Sequence, residues 1–305
     1  MIFDPGTVLV LGAGASAPYG FPLGQALKHQ IIAHTANTSS DQAKQLVEMG
    51  LTEDDILAFH TDLVRSIHPT IDAFLEDRPT WRAIGAFAIA QVLMPLESEQ
   101  KLFPHNDWYP MLFQELDLRD YSHTASVTAI VTLNYDRSVE HYLTETTQRT
   151  YEGQTRAKAL EKLQSVRVIH VHGQLGSYPQ MRYVTQRTTE DIKKGAQGIS
   201  LVHDQDLDNS EVFQDAALLI ASAPDVLFLG FGYDQRTLRR LGVFGAGNGP
   251  KLHGTGHGMS AEWLNEVKEA FSGRLTPTRS PIVSFLPGFH THKIQERQKL
   301  AKTKS

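Results

Sequence analysis

Four consecutive apolar residues, Val8-Leu9-Val10-Leu11, run directly into the small-residue string Gly12-Ala13-Gly14-Ala15-Ser16. The apolar run reads as a buried strand. Without bulky side chains in the string, backbone N–H groups are able to close on a phosphate. A helical pattern follows through Leu23, Leu27 and Ile31, with Pro22 suited to its first turn. Strand, glycine turn and helix in that order cradle a pyrophosphate; the alternative is the same turn with no ligand. Gly12-x-Gly14-x-x-Ala17 meets the loose dinucleotide fingerprint. An ordinary Rossmann dehydrogenase also places an acidic residue about 20 positions on, to hold the ribose. Ile32-Ala33-His34-Thr35-Ala36-Asn37 contains none, and Pro18 and Gly20 interrupt the helix that should already be running. A standard dehydrogenase is therefore disfavoured.

With 305 residues the chain has room for one large domain, or for a domain with an insertion. Cysteine is absent, which removes disulfides, thiol nucleophiles and cysteine-ligated zinc together. A net charge of −5 argues against a broad nucleic-acid-binding face. No secretory leader and no apolar run of membrane-spanning length is visible, so the cytoplasm is the expected location.

Along the chain, Asp41 to about Leu118 repeats apolar residues at three and four spacing, as in Ile56, Phe59 and Leu63 or Ile84, Phe87 and Ala88. This predicts a helical insertion over residues 37–119. Strand patterns return at Val127–Leu133, Val166–Val171, Val226–Leu229 and Ile282–Leu286. Gln174 to Ser210 reads as a mobile loop with short helices, Gly245 to Gly258 as a glycine-rich loop, and residues 293–305 as a frayed basic tail. The expected fold is α/β: a Rossmann-like, largely parallel sheet built from residues 1–36 and 120–292, with helices on both faces.

In such sheets ligand groups collect at the carboxyl ends of the strands. Four polar or glycine clusters sit there: Gly12 to Ser16, Asn134 to Asp136, His172-Gly173, and Gly230 to Asp234. The Asn134 amide is suited to a water or ribose hydroxyls, or to a turn or helix cap. Asp136 is better suited to capping the next helix. His172 suits proton acceptance near neutrality, or a satisfied structural role. His170 and His172, two apart, allow a metal pair but lack a third ligand at a telling spacing. His253, His257, His290 and His292 read as loop and surface residues, and Trp108-Tyr109 as core.

The ordered set Gly12-Ala13-Gly14-Ala15-Ser16, Gly20-Phe21-Pro22, Leu133-Asn134-Tyr135-Asp136, Val171-His172-Gly173 and Leu229-Gly230-Phe231-Gly232 resembles the sirtuin NAD-binding domain. It is most similar to the divergent prokaryotic sirtuin-like branch of anti-phage defence systems. Ile71–Leu75 and Trp108-Tyr109 look similar to that branch's helical region. The resemblance implies that Gly12 to Ser16 wrap the NAD pyrophosphate and that Phe21 and Pro22 lie near the nicotinamide. It implies that Asn134 stands by the nicotinamide ribose, that His172 is the catalytic base, and that Gly230, Gly232 and Tyr233 line the adenosine side, with Asp136 counted among the cofactor-binding residues. The four-cysteine zinc site of deacetylating sirtuins is absent, and Leu23-Gly24-Gln25 replaces their Asp-Phe-Arg run, which speaks against deacetylation.

The function so implied is NAD glycohydrolysis, giving nicotinamide and ADP-ribose without a metal, as a defence effector. A non-catalytic sensor of NAD, ADP-ribose or a related nucleotide, and a transferase of ADP-ribose to a macromolecule, are the alternatives. Relatives work beside a HerA-type ATPase or an Argonaute-like protein, so a homo-oligomer with such a separately encoded regulator is expected. The lack of a clear arginine near the first loop leans towards NAD over NADP.

Overall fold

The first apolar run forms a strand, β1 (Thr7–Leu11), whose five residues are all buried. It lies at the centre of a parallel sheet in the computed structural model, which describes residues 2–104, 107–116, 127–203, 210–244 and 249–303. A one-turn helix, α1 (Ala13–Ser16), follows at once, and after a 3-10 turn the chain enters α2 (Gly24–Thr35). Pro22 precedes that helix rather than sitting in its first turn, since Leu23 is the extended residue at the boundary.

The next stretch is helical, as its periodicity predicts. It comprises α3 (Asp41–Glu48), α4 (Glu53–Arg65), α5 (Ile71–Asp77), α6 (Arg82–Leu93), α7 (Glu99–Leu102) and α8 (Tyr109–Leu116). Local chemistry sets several starts: Ser40 and Thr70 accept from the third residue of α3 and α5, and Thr52 and Asp55 form a reciprocal capping box on α4. Every residue of α6 from Ile84 to Leu93 is buried, the mark of a helix enclosed on all sides. The expected junction near residues 119–120 lies outside the described residues.

The strands β2 (Val127–Thr132), β3 (Arg167–His170), β4 (Asp225–Leu229) and β5 (Lys251–Gly254) complete the sheet in the order β3-β2-β1-β4-β5. Between β2 and β3 lie α9 (Ser138–Thr150) and α10 (Arg156–Leu163); between β3 and β4 lie α11 (Thr189–His203) and α12 (Glu211–Ser222). Short α13 (Gln235–Arg240) follows β4, and α14 (Ala261–Ala270) and α15 (Ile282–Thr303) follow β5. Side chains alternate across the sheet. Leu9, Leu11, Ile130, Leu227 and Leu229 join one core with the helical stretch and α9, while Val8, Val10, Val131, Val226 and Phe228 join another with α12, α13 and α14. The helices of residues 41–116 thus share a core with the sheet.

Three expectations are corrected. Ile282–Leu286 is not a strand but the start of α15; Ile282, Phe285, Leu286 and Phe289 recur at helical spacing and pack on the core. The fifth strand is Lys251–Gly254, inside the stretch read as a glycine-rich loop, whose residues 245–248 lie outside the described residues. Its polar composition hides it, and hydrogen bonding to β4 defines it. Residues 189–203, read as part of a loop, form one 15-residue helix that buries Ile192, Ala196 and Ile199 against the core holding α6.

The tail from 293 is likewise helical as far as Thr303. Lys293 is buried, with its ammonium 2.7 Å from Asp225 and 2.8 Å from Asp4. His253, placed on the surface by its sequence context, lies in β5 and bonds Asp225 at 2.9 Å. Burial alone would raise the Asp225 carboxyl, but hydrogen bonds from His253 and Lys293, reinforced by the Lys293 charge, hold it down to about 2. Among the described residues no helix is long and apolar enough to cross a membrane. Lys293→Ala leaves the buried Asp225 carboxylate with His253 alone and without its charged partner. It is expected to cost about 3 kcal/mol of stability, read as a lower urea midpoint with unchanged slope.

Candidate functional site

All five strands run the same way, so the segments after β1, β2, β3 and β4 emerge along one edge of the sheet. The last residues of the strands are in register, with Leu11 beside both Thr132 and Leu229, and Thr132 beside His170. The four expected clusters therefore meet at that edge.

The first and fourth are bound together by backbone. Gly12 N donates to Leu229 O at 3.1 Å and Gly14 N to Gly230 O at 2.9 Å. A Cβ on Gly12 would stand 2.6 Å from Gly230 O, and one on Gly230 would stand 2.2 Å from Ala15 N. Gly230 also has φ of 60°, in the left-handed region. The glycines are thus needed for loop-to-loop contact, and two of the N–H groups expected to face a phosphate are already donated to protein carbonyls. Ala15 N is also engaged, with Gly12 O at 2.9 Å.

Above this contact lies a cavity of about 530 Å³. Ala13, Gly14, Gly230 and Gly232 form part of its floor, with Trp108, Thr255, His257, Met259 and Ile282 on its walls. The wall residues escaped sequence reasoning because they come from three separate stretches with no shared motif. Trp108 is almost fully buried, as expected of core, and its indole N–H also donates to Ala15 O at 3.0 Å. Phe21 is a core residue and, like Pro22, is absent from the cavity lining; Leu23 and Gly24 line it instead. Tyr233, expected on the adenosine side, is buried with its hydroxyl donating to Thr255 O at 2.9 Å, and it too is absent from the lining. It ties the β4 loop to the end of β5.

Asn134 lies against the glycine turn. Its Nδ2 donates to Gly12 O at 3.0 Å and Ser16 Oγ at 2.9 Å, and its backbone N–H donates to Thr132 Oγ1 at 3.0 Å. Because Gly12 O only accepts, the group facing it must be the NH₂, which settles the amide orientation chemically. The side-chain carbonyl Oδ1 makes no hydrogen bond among the described residues and is left as an acceptor. Asp136 is buried and accepts from both the Ser138 backbone N–H, at 3.1 Å, and the Ser138 hydroxyl. It holds the first residue of α9 from one position before the N-cap, Arg137, which itself makes no side-chain cap bond; burial raises the Asp136 carboxyl.

His170 and His172 do not form a pair. His170 bonds Asn134 O at 2.8 Å and Glu140 of α9 at 2.7 Å, whereas His172 packs on Phe213 of α12, 5.6 Å between ring centres. No group of three metal-binding side chains exists among the described residues.

His172 is buried, with the Tyr135 ring 6.4 Å away. Burial lowers its basicity below that of a free imidazole, Asp72 and Glu76 pull the other way, and Arg240 reinforces the lowering, so the ring is neutral at pH 7. Ion pairs join α5 to α13 beside it: Arg240 to Glu76 at 2.8 Å and Arg236 to Asp77 at 2.9 Å. His68 also bonds Asp77, and the Tyr135 hydroxyl donates to Asp72. The Arg240 guanidinium lies 5.8 Å over the same Phe213 ring that His172 meets edge-on. Neither Asn134 nor His172 lines the 530 Å³ cavity.

No protein-family model matches the chain, and no curated protein matches it. Arg240→Ala removes both the Glu76 pair and the guanidinium over Phe213. It is expected to raise deuterium uptake of residues 171–174 severalfold while leaving β1 protected, as read by hydrogen exchange.

Proposed function

We propose that the chain is an NAD glycohydrolase, with NAD as substrate. The convergence of the Asn134 amide on the glycine turn carries this reading, together with the His172 loop at the end of a strand in the same sheet. The resemblance of the ordered motifs to the prokaryotic sirtuin-like branch supplies the dinucleotide. The cavity over Gly14, Gly230 and Gly232 would take the adenosine end, and the nicotinamide end would extend towards Asn134 and His172.

Nicotinamide leaves as a neutral base, so positive charge develops on the ribose ring and no strong acid is required. Positioning and proton acceptance remain to be supplied. Asn134 Oδ1 is free to accept from a ribose hydroxyl or from the attacking water. A neutral His172 is in the protonation state needed to take a proton from either.

A second reading, a sensor that holds NAD or ADP-ribose without turnover, is favoured by the cover over His172 and by the absence of both polar residues from the cavity lining. Under the first reading that cover has to open, and restraint by self-association or by a HerA-type or Argonaute-like partner belongs to the same proposal.

Incubation of the purified chain with NAD, with nicotinamide and ADP-ribose separated by chromatography, discriminates the two. Asn134→Ala and His172→Ala are each expected to reduce release by at least about 100-fold while the variants stay folded. Full activity in both variants removes the catalytic reading. Tight NAD binding with no release favours the sensor. The acid limb of kcat/KM is expected below pH 6.5, because burial lowers the His172 pKa and the neutral ring persists to lower pH. A limb at or above 6.5 counts against His172 as the base.

A further inference from the structure

Asn134 is held from behind by a buried pair that the sequence reading left without a role. His170, the last residue of β3, directs Nδ1 at the Asn134 backbone carbonyl, 2.8 Å away, and Nε2 at Glu140 Oε1, 2.7 Å away. Both side chains are at least nine-tenths buried.

The proton positions follow from the partners. A backbone carbonyl only accepts, so Nδ1 must carry a hydrogen. A second proton must lie between Nε2 and the carboxylate, since a bare ring nitrogen facing an ionised carboxylate at that distance repels it. The pair is therefore neutral overall, with Nδ1–H directed at Asn134 in either arrangement. Burial disfavours a charged ring, but Glu140 outweighs it and raises the His170 pKa. Glu140 Oε2 has no hydrogen-bond partner among the described residues, so His170 is the group that compensates this carboxylate.

We propose that His170, oriented by Glu140, is a positioning residue that fixes the Asn134 backbone so that its side-chain Oδ1 faces the reacting ribose. This rests on the role assigned to Asn134 above. Four hydrogen bonds then hold one asparagine: the backbone N–H to Thr132, the carbonyl from His170, and the amide to Gly12 and Ser16. These four contacts leave Oδ1 as the side-chain acceptor without a hydrogen bond among the described residues.

Three full-length variants separate positioning from mere support. Asparagine reproduces Nδ1–H, so His170→Asn retains the bond to Asn134. Glutamine reproduces the Nε2 side, so His170→Gln retains Glu140 and loses Asn134. Glu140→Gln donates to Nε2 and leaves Nδ1–H where it is. The expected result is that His170→Gln lowers kcat for nicotinamide release about 10- to 100-fold with little change in KM, while the other two stay within about threefold of wild type. Each His170 variant loses one of two hydrogen bonds, and His170→Asn also leaves the buried Glu140 carboxylate uncompensated, so a purely structural role would lower His170→Asn at least as much as His170→Gln, in step with their urea midpoints. A loss in His170→Asn equal to or greater than that in His170→Gln, or full activity in His170→Gln, overturns the proposal.

Hydrogen exchange of residues 133–137 is measured on the same proteins. Faster exchange in His170→Gln than in His170→Asn is expected, and equal rates overturn the positioning role. If the wild type releases no nicotinamide, the catalytic reading fails while this exchange comparison still decides the contact.

Discussion

The turn after β1 and the turn after β4 touch backbone to backbone, and the rest of the edge is arranged around that contact. Gly12 and Gly14 donate to the carbonyls of Leu229 and Gly230, at separations a Cβ on any of the three glycines would destroy. Two neighbouring strand ends are thereby drawn together under the cavity. Asn134 adds the β2 loop to the same turn through Gly12 O and Ser16 Oγ, and His170 adds β3 through Asn134 O. Four chain segments distant in sequence are joined by short polar bonds at one edge.

Charge is managed differently at the two ends of the sheet. At the amino end, buried Asp225 and Lys293 join partly exposed His253 and Asp4 in a cluster that anchors the last helix. At the carboxyl end, the His170–Glu140 pair is enclosed and the Arg240–Glu76 pair nearly so, whereas the Arg236–Asp77 pair is half-exposed; the two arginine pairs lie between two helices of different parts of the chain. Enclosed pairs hold one geometry because separation leaves a buried charge; exposed pairs are screened by water and exchange partners at little cost. Of the two pairs between α5 and α13 beside His172, only Arg236–Asp77 is thus of the weaker kind.

Legibility followed the range of the forces. β1, β2 and β4 announced themselves as largely apolar runs because a central parallel strand is buried on both faces, and edge strand β3 through its valines and Ile169 despite Arg167 and His170. The fifth strand was hidden: Lys251-Leu252-His253-Gly254 has little β character and pairs only because β4 offers an edge. Ile282–Leu286 misled in the opposite direction, since a short apolar run suits strand or helix until its partners are known. The 189–203 helix was masked by polar residues on its outer face, although Ile192, Ala196 and Ile199 carried the signal.

Residue order alone determined that a glycine turn follows the first strand, that polar clusters end three others, and that the sheet is α/β, because strand alternation, helix periodicity and glycine tolerance are properties of neighbouring residues. Which groups meet was decided only by the tertiary structure. It turned Asn134 towards Gly12, sent His170 and His172 to different layers, placed α5 and α13 beside His172, and walled the cavity with Trp108, Met259 and Ile282. Those contacts span long separations along the chain, where no local preference reaches and only strand order and packing choose the partner.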